Sequence, residues 1–193
     1  MGIRAEQKAM RRLIILGKSL DLFIHQGFSG TSVRDIARAC DISPALLFHY
    51  FENKDDILLE LLRFAFSGVT SAADLLLGED SPIRKFENIA TMIFQSFKEM
   101  PQSAPMFLLV HQVMVFESMP LQAKKIVSEH DYYYRTVDVI LEGQKKGEIR
   151  PGDPMSLAVA FWSSIQGIAE SVAMSPEIQT PDPKWIVAIL KAE

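Results

Sequence analysis

The 193-residue chain has a single cysteine, Cys40, so no internal disulfide can form. A lone thiol suits a reducing compartment, and the cytoplasm is the expected location. Long apolar runs are also missing. None approaches the ~18 residues that a membrane-spanning helix needs, and the longest candidate, Ala104 to Phe116, carries His111 and Gln112. No membrane partner is expected. The basic start is interrupted by Lys18 and Asp21 and no small-residue cleavage site follows, so no leader peptide is expected either. Histidine is scarce and scattered, at His25, His49, His111 and His130. No metal-ligand spacing and no nucleophile motif occurs, so neither a metal, a cofactor nor an enzyme activity is expected. A cationic surplus is absent: 20 Lys and Arg face 24 Asp and Glu, a net charge of −4 that argues mildly against nucleic acid. There is no alternating strand pattern and no repeat.

What is present is 48% hydrophobic and 23% charged residues, the balance of a globular chain. The charge is unevenly placed. Residues 1–55 hold 8 Lys/Arg and 6 Asp/Glu, whereas residues 56–193 hold 12 and 18. A basic head on an acidic body fits a protein whose head alone meets phosphate.

Residues 4–26 show a wide apolar helical stripe through Leu13, Ile15, Leu16, Leu20 and Phe23. Arg4, Lys8, Arg11, Arg12 and Lys18 lie off that stripe. They read either as a solvated face or as a helix near a phosphate backbone. Gly27 stands where a left-handed C-cap residue is usual. Thr31 or Ser32 is the N-cap of a short helix over Val33–Ala39, with Ile36, Ala37 and Cys40 on its apolar face. Cys40 reads as a small buried apolar side chain. Asp41 occupies a tight turn, where Asp tolerates unusual φ. Ser43 caps and Pro44 opens a second short helix over Ala45–Tyr50. Leu47 and Phe51 face inward on it, while Ala45, Leu46, His49 and Tyr50 face outward. Asn53 caps the next helix, and Lys54 at its first position is either compensated by Asp55 and Asp56 or ready for an anion.

Residues 14–62 resemble the DNA-binding domain of the TetR family of bacterial transcriptional regulators. The matching residues are Ile15-Leu16, Phe23, Gly27-Phe28, Thr31-Ser32-Val33-Arg34-Asp35-Ile36-Ala37, Ile42-Ser43, Leu47-Phe48-His49-Tyr50-Phe51, Asn53-Lys54 and Leu58. The resemblance implies that Val33–Ala39 supports and Pro44–Tyr50 enters the major groove. It places Thr31, Ser32, Tyr50 and Lys54 at phosphates, and Arg34, Ala45, Leu46, Phe48 and His49 near bases. The chain departs from the family at Asp41, Leu46 and Phe48, where Gly, a polar residue and Tyr are common. Few hydrogen-bond donors then remain on the recognition helix. Apolar side chains can meet thymine methyls, and Arg can bond guanine O6 and N7 with two donors. Arg34 is the leading base reader and His49 the second.

The rest of the chain is read as helices: 54–77 connecting head and body, 83–100, 106–119 nearly all apolar and surrounded, 121–146 as one long helix, 155–174, and a short one over 185–190. The expected fold is all-α, about nine helices, with a DNA-binding domain at 1–53 and a body at 54–193. The resemblance implies that the helix 155–174 and the last helix pair with symmetry mates in a homodimer, and Ala158, Gly167 and Ala169 would let helices approach. Phe97, Phe107, His111, Met114, Tyr133, Trp162 and Gln166, with Met92 and Met106, either line an apolar effector pocket or are plain core. The expected protein is a repressor that leaves a palindromic double-stranded DNA operator when a small apolar effector binds, with the connecting helix as lever. The alternative is a ligand-independent DNA-binding regulator or a helical protein-interaction module.

Overall fold

The computed structural model describes residues 2–67, 75–130 and 132–192. Among them the chain is all-α, with ten helices and one isolated antiparallel bridge between Ile149 and Lys191. The helices are α1 (Ile3–Gln26), α2 (Val33–Ala39), α3 (Pro44–Phe48), α4 (Lys54–Ser67), α5 (Pro82–Glu99), α6 (Ser103–Val115), α7 (Leu121–Ser128), α8 (Tyr132–Lys145), α9 (Pro154–Met174) and α10 (Pro183–Val187). The chain divides into two compact units. The first comprises Met1–Ala65 with Leu109–Ser128, and the second Phe66–Leu108 with Glu129–Glu193.

In the first unit the inward residues are Ile15, Leu20 and Phe23 of α1, Ile36 and Ala37 of α2, Leu47 of α3, and Ile57, Leu58, Leu61 and Leu62 of α4, whereas Leu13 of the expected α1 stripe is exposed. Phe23 and Phe28 meet edge to face, with ring centroids 5.2 Å apart. Cys40 is buried, and desolvation pushes its thiol pKa up, as suits an inert apolar side chain.

In the second unit α5, α8 and α9 enclose a core of Phe86, Ile89, Ile93, Phe94, Ile140, Phe161 and Ile165, closed by Val187 and Leu190 at the chain's end. Side chains of Asp153 and Asp182 cap α9 and α10, and Pro154 and Pro183 stand in their first turns. Gly143 lets α8 pass close to its neighbours, since a Cβ there would lie 2.5 Å from Ile149 Cδ1 and 3.0 Å from Pro82 Cβ.

Several expectations are corrected. The single helix over 121–146 is two, α7 and α8, and His130 in the break stacks on Phe66 with centroids 4.3 Å apart. No Gly or Pro marks that break, so the helical periodicity runs through it. Helix α6 starts at Ser103, with Pro105 tolerated in its first turn. It is not surrounded: Met114 and Val115, and Phe116 just beyond, are exposed. Gly27 has positive φ but extended ψ, so α1 ends without a left-handed cap. Part of the connecting helix expected at 54–77, residues 68–74, lies outside the described residues. Helix α9 is long and apolar enough, by length and composition, to cross a membrane. It nevertheless carries Gln166 and Glu170 and sets Ala158, Phe161, Trp162, Ile165 and Ala169 in the core. Ala158 and Ala169 are therefore not on an outward face, whereas an added Cβ at Gly167 would meet nothing within 4 Å.

Candidate nucleic-acid interface

The interface is built on two short helices whose ends are fixed by side chains. Ser32 Oγ accepts from the Asp35 amide at 3.2 Å, and the Asp35 carboxylate accepts from the Ser32 amide at 3.0 Å and from its hydroxyl at 2.5 Å. This reciprocal pair is a capping box, and it starts α2. These bonds hold the Asp35 pKa below its usual value, with Arg38, ion-paired to the same carboxylate, adding a smaller pull. Asp41 then turns the chain at φ 52, in the left-handed region that Asp tolerates. Ser43 Oγ accepts from the Leu46 amide at 3.1 Å, and Pro44 fills the first turn of α3. Leu47 and Phe51 are buried beneath it.

With Leu47 and Phe51 anchored, α3 turns Pro44, Ala45, Leu46, Phe48 and His49 outward. Leu46 is 42% and Phe48 52% exposed, large apolar side chains that the protomer leaves uncovered. The His49 ring meets the half-buried Tyr50 ring edge to face, centroids 5.7 Å apart. Arg34 on α2 is exposed, and it has no hydrogen-bond or ion-pair partner among the described residues. Lys8, Arg11 and Lys18 of α1 are likewise exposed, while the Arg4 side chain lies outside the described residues.

Two residues expected at phosphates stand elsewhere. Thr31 is 1% exposed, and its hydroxyl donates to the Gly27 carbonyl at 2.8 Å. Lys54 Nζ donates to the carbonyls of Phe28 at 2.6 Å and Thr31 at 2.8 Å, and lies 4.1 Å from the Phe28 ring centroid. Burial pushes the Lys54 pKa down, partly offset by Asp55. Both side chains close the loop between α1 and α2. The open choice of N-cap is settled as Ser32.

Sequence reasoning missed the role of Arg12, which it set among cations facing either solvent or a phosphate backbone. Arg12 is half-buried. Its Nε donates to Glu60 Oε1 at 2.9 Å, Nη2 to Glu60 Oε2 and Nη1 to the Tyr50 carbonyl, and its guanidinium lies 4.1 Å from the Phe51 ring centroid. These partners are 38 to 48 residues away, so no local pattern reports them.

The effector candidates separate. Phe97 and Trp162 are buried and Phe107 and Tyr133 half-buried against the same core, with Phe97 and Phe107 edge to face at 5.4 Å. Trp162 Nε1 donates to Thr136 Oγ1 at 3.4 Å, and Gln166 Nε2 to Glu170 Oε1 at 3.0 Å. His111 and Met114 are exposed and belong to the first unit. A groove of about 480 Å³ lies along α5 instead, lined by residues such as Asn88, Thr91, Met92, Gln95 and Ser96 and by none of the seven.

A supporting helix, a tight turn and a short outward helix behind a basic first helix define a helix-turn-helix DNA-binding protein. Residues 15–61 match the family model described as bacterial regulatory proteins, tetR family. The whole chain is similar to the HTH-type transcriptional regulator RutR of Escherichia coli (strain K12), 22% identical over 92% of this chain and 81% of that protein. The fold is similar to that of the MbdR regulator from Azoarcus sp. CIB, with TM-score 0.78, 22% identity and coverage of 95% of this chain and 98% of that one. It is also similar to AibR in complex with isovaleryl coenzyme A and operator DNA, with TM-score 0.69, 19% identity and coverage of 94% and 98%. Residues 15–61 thus carry the DNA-binding domain of the tetR family of bacterial regulatory proteins, and the protein is a DNA-binding transcriptional regulator.

Proposed function

We propose that this protein is a cytoplasmic repressor that binds a palindromic operator as a homodimer and leaves it when a small apolar effector enters the body. Residues 1–53 do the reading, residues 54–193 hold the effector and the dimer contact, and catalysis plays no part. The observation that carries the reading is the outward face of α3. Leu46 and Phe48 stand uncovered on α3, and Arg34 on α2 is exposed with no partner among the described residues, as thymine-methyl and guanine contacts require. A head this small reads few base pairs, and two copies related by a two-fold axis match paired half-sites. The second unit offers a face for that pairing. Ser156, Val159, Ser163, Gly167, Ser171 and Met174 form an exposed stripe along α9, and Trp185 is exposed on α10.

The effector site is assigned to the aromatic cluster of Phe97, Phe107, Tyr133 and Trp162, where Thr136 and Gln166 supply polar groups. The solved AibR complex with an acyl-coenzyme A and operator DNA supports a ligand-responsive reading. The test is selection of duplexes from a random pool by the full chain, followed by affinity against salt. A palindromic site and a steep fall of affinity with salt are expected. Binding that is flat with salt and prefers no sequence refutes the reading. Thermal melting with a panel of apolar acids, acyl thioesters and aromatics tests the effector, since a true ligand raises apparent stability by mass action.

A further inference from the structure

Helix α3 has only five residues, from Pro44 to Phe48. A helix of that length has no stability of its own, so its direction is dictated by what holds its ends. Ser43 holds the first end. At the other end the chain leaves through Tyr50, and the Tyr50 carbonyl accepts from Arg12 Nη1. The same guanidinium grips both oxygens of Glu60 on α4 and covers the Phe51 ring.

We infer that Arg12 is the positioning residue that sets the recognition helix against the rest of the head. The inference rests on the DNA-binding reading above and adds a residue to it. The planar fork of an arginine can bond a carboxylate with two donors, a carbonyl with a third, and an aromatic ring with its face. A lysine in its place offers one ammonium and cannot do all of these. The tie to Tyr50 uses a backbone oxygen, so it holds the chain whatever the side chain there is doing on DNA. Arg12 thus acts from three anchoring contacts inside the head rather than from the exposed surface that Arg34, Lys8 and Arg11 occupy.

Glu60 gives the decisive variant. Removing an acidic residue from the head raises its attraction for phosphate, so any loss of binding in Glu60→Gln must come from geometry. The experiment measures the full chain, Arg12→Lys and Glu60→Gln on the duplex selected by the native protein and on a scrambled duplex of equal length. It is run across salt, at a temperature where circular dichroism shows every variant fully folded. Each variant is expected to lose about 10- to 100-fold on the selected duplex, the worth of a charged hydrogen-bond pair. On the scrambled duplex the change stays within about twofold, because phosphate attraction is sequence-independent. The salt slope is unchanged, and the double variant is no worse than the poorer single one.

Equal losses on both duplexes in Arg12→Lys, or native affinity and discrimination in Glu60→Gln, overturn the inference while leaving the DNA-binding reading intact. A native protein that selects no duplex at all overturns both.

Discussion

Lys54 is the residue whose role the head's geometry redefines, and Lys54→Met decides it. A free lysine at a helix start is a natural phosphate contact, yet its ammonium is held between the carbonyls of Phe28 and Thr31 and against the Phe28 ring. A hydrogen bond from a charged donor is worth about 1.5–3 kcal/mol. The two bonds share one ammonium and one loop, so they are not additive. Lys54 is half-buried, so water reaches part of what the substitution exposes. The cation–aromatic contact contributes about 0.5–1 kcal/mol at such a site. Methionine keeps the aliphatic stem over the ring, which retains most of the packing. The net cost is about 2 kcal/mol, or roughly a 30-fold shift in the opening equilibrium of the head. Native-state hydrogen exchange reads this directly. Amides of Ile36, Ala37 and Cys40 in and after α2 should lose about 30-fold in protection. The salt slope for the selected duplex should stay where it was. If protection is unchanged and the slope instead falls by about 0.9 for each Lys54 in the complex, Lys54 is a phosphate contact and the clamp is wrong.

Arg34→Ala should lower discrimination at one base position per half-site by about 1–3 kcal/mol, measured by competition between single-base variants of the operator, whereas equal weakening on all sequences would make Arg34 a phosphate contact. The depressed pKa of Asp35 carries a pH dependence. Above its unfolded value the carboxylate's contribution to α2 is fully present, and it is lost as pH falls through the folded pKa. Head stability, followed by exchange at the α2 amides, should therefore drop on acidification below the ordinary aspartate range, and Asp35→Asn should flatten that part of the profile. In the second unit Gly143→Ala drives a Cβ against Ile149 Cδ1 at 2.5 Å and should destabilise the fold by about 1–3 kcal/mol in urea unfolding. An unaltered midpoint would mean that Ile149 turns aside freely.

The head was legible because its signals are local. A serine three residues ahead of the amide it accepts, a proline in the first turn and an aspartate at φ 52 all act within one turn of their own position. The same locality hid Arg12 and Lys54, whose partners lie 23 to 48 residues away. Helix ends in the body were blurred for a related reason. The break between α7 and α8 has no Gly or Pro, and the apolar spacing persists across it. Which small residues of α9 face outward was open to calculation. Ala158 and Ala169 are eleven apart, about 20° round a helix, so they share one face. Gly167, nine residues beyond Ala158, lies about 180° away. All three cannot serve one contact, and the structure buries the two alanines while leaving the glycine open.

In this head the usual division of labour between polar and apolar residues is inverted. Thr31, Lys54 and Arg12 have the polar chemistry of a phosphate-binding surface, yet their side chains are engaged with carbonyls, a carboxylate and rings inside the head. Leu46 and Phe48 have the chemistry of a core, yet they stand exposed on α3. The two facts have one cause. A five-residue helix cannot orient itself, so strong directional bonds must be placed behind it, and charged donors bonded to backbone carbonyls supply them within a small volume. That leaves the outer face free of structural duty. On the proposed reading its residues can then be chosen for the bases alone, and here they are largely apolar. Discrimination on such a face depends on the shape of the thymine methyls, which falls off over a fraction of an ångström, more than on charge. A reader of this kind needs a rigid mount more than a polar helix does. On the proposed reading, a slip of α3 that a long arginine could follow would take Leu46 and Phe48 out of contact altogether.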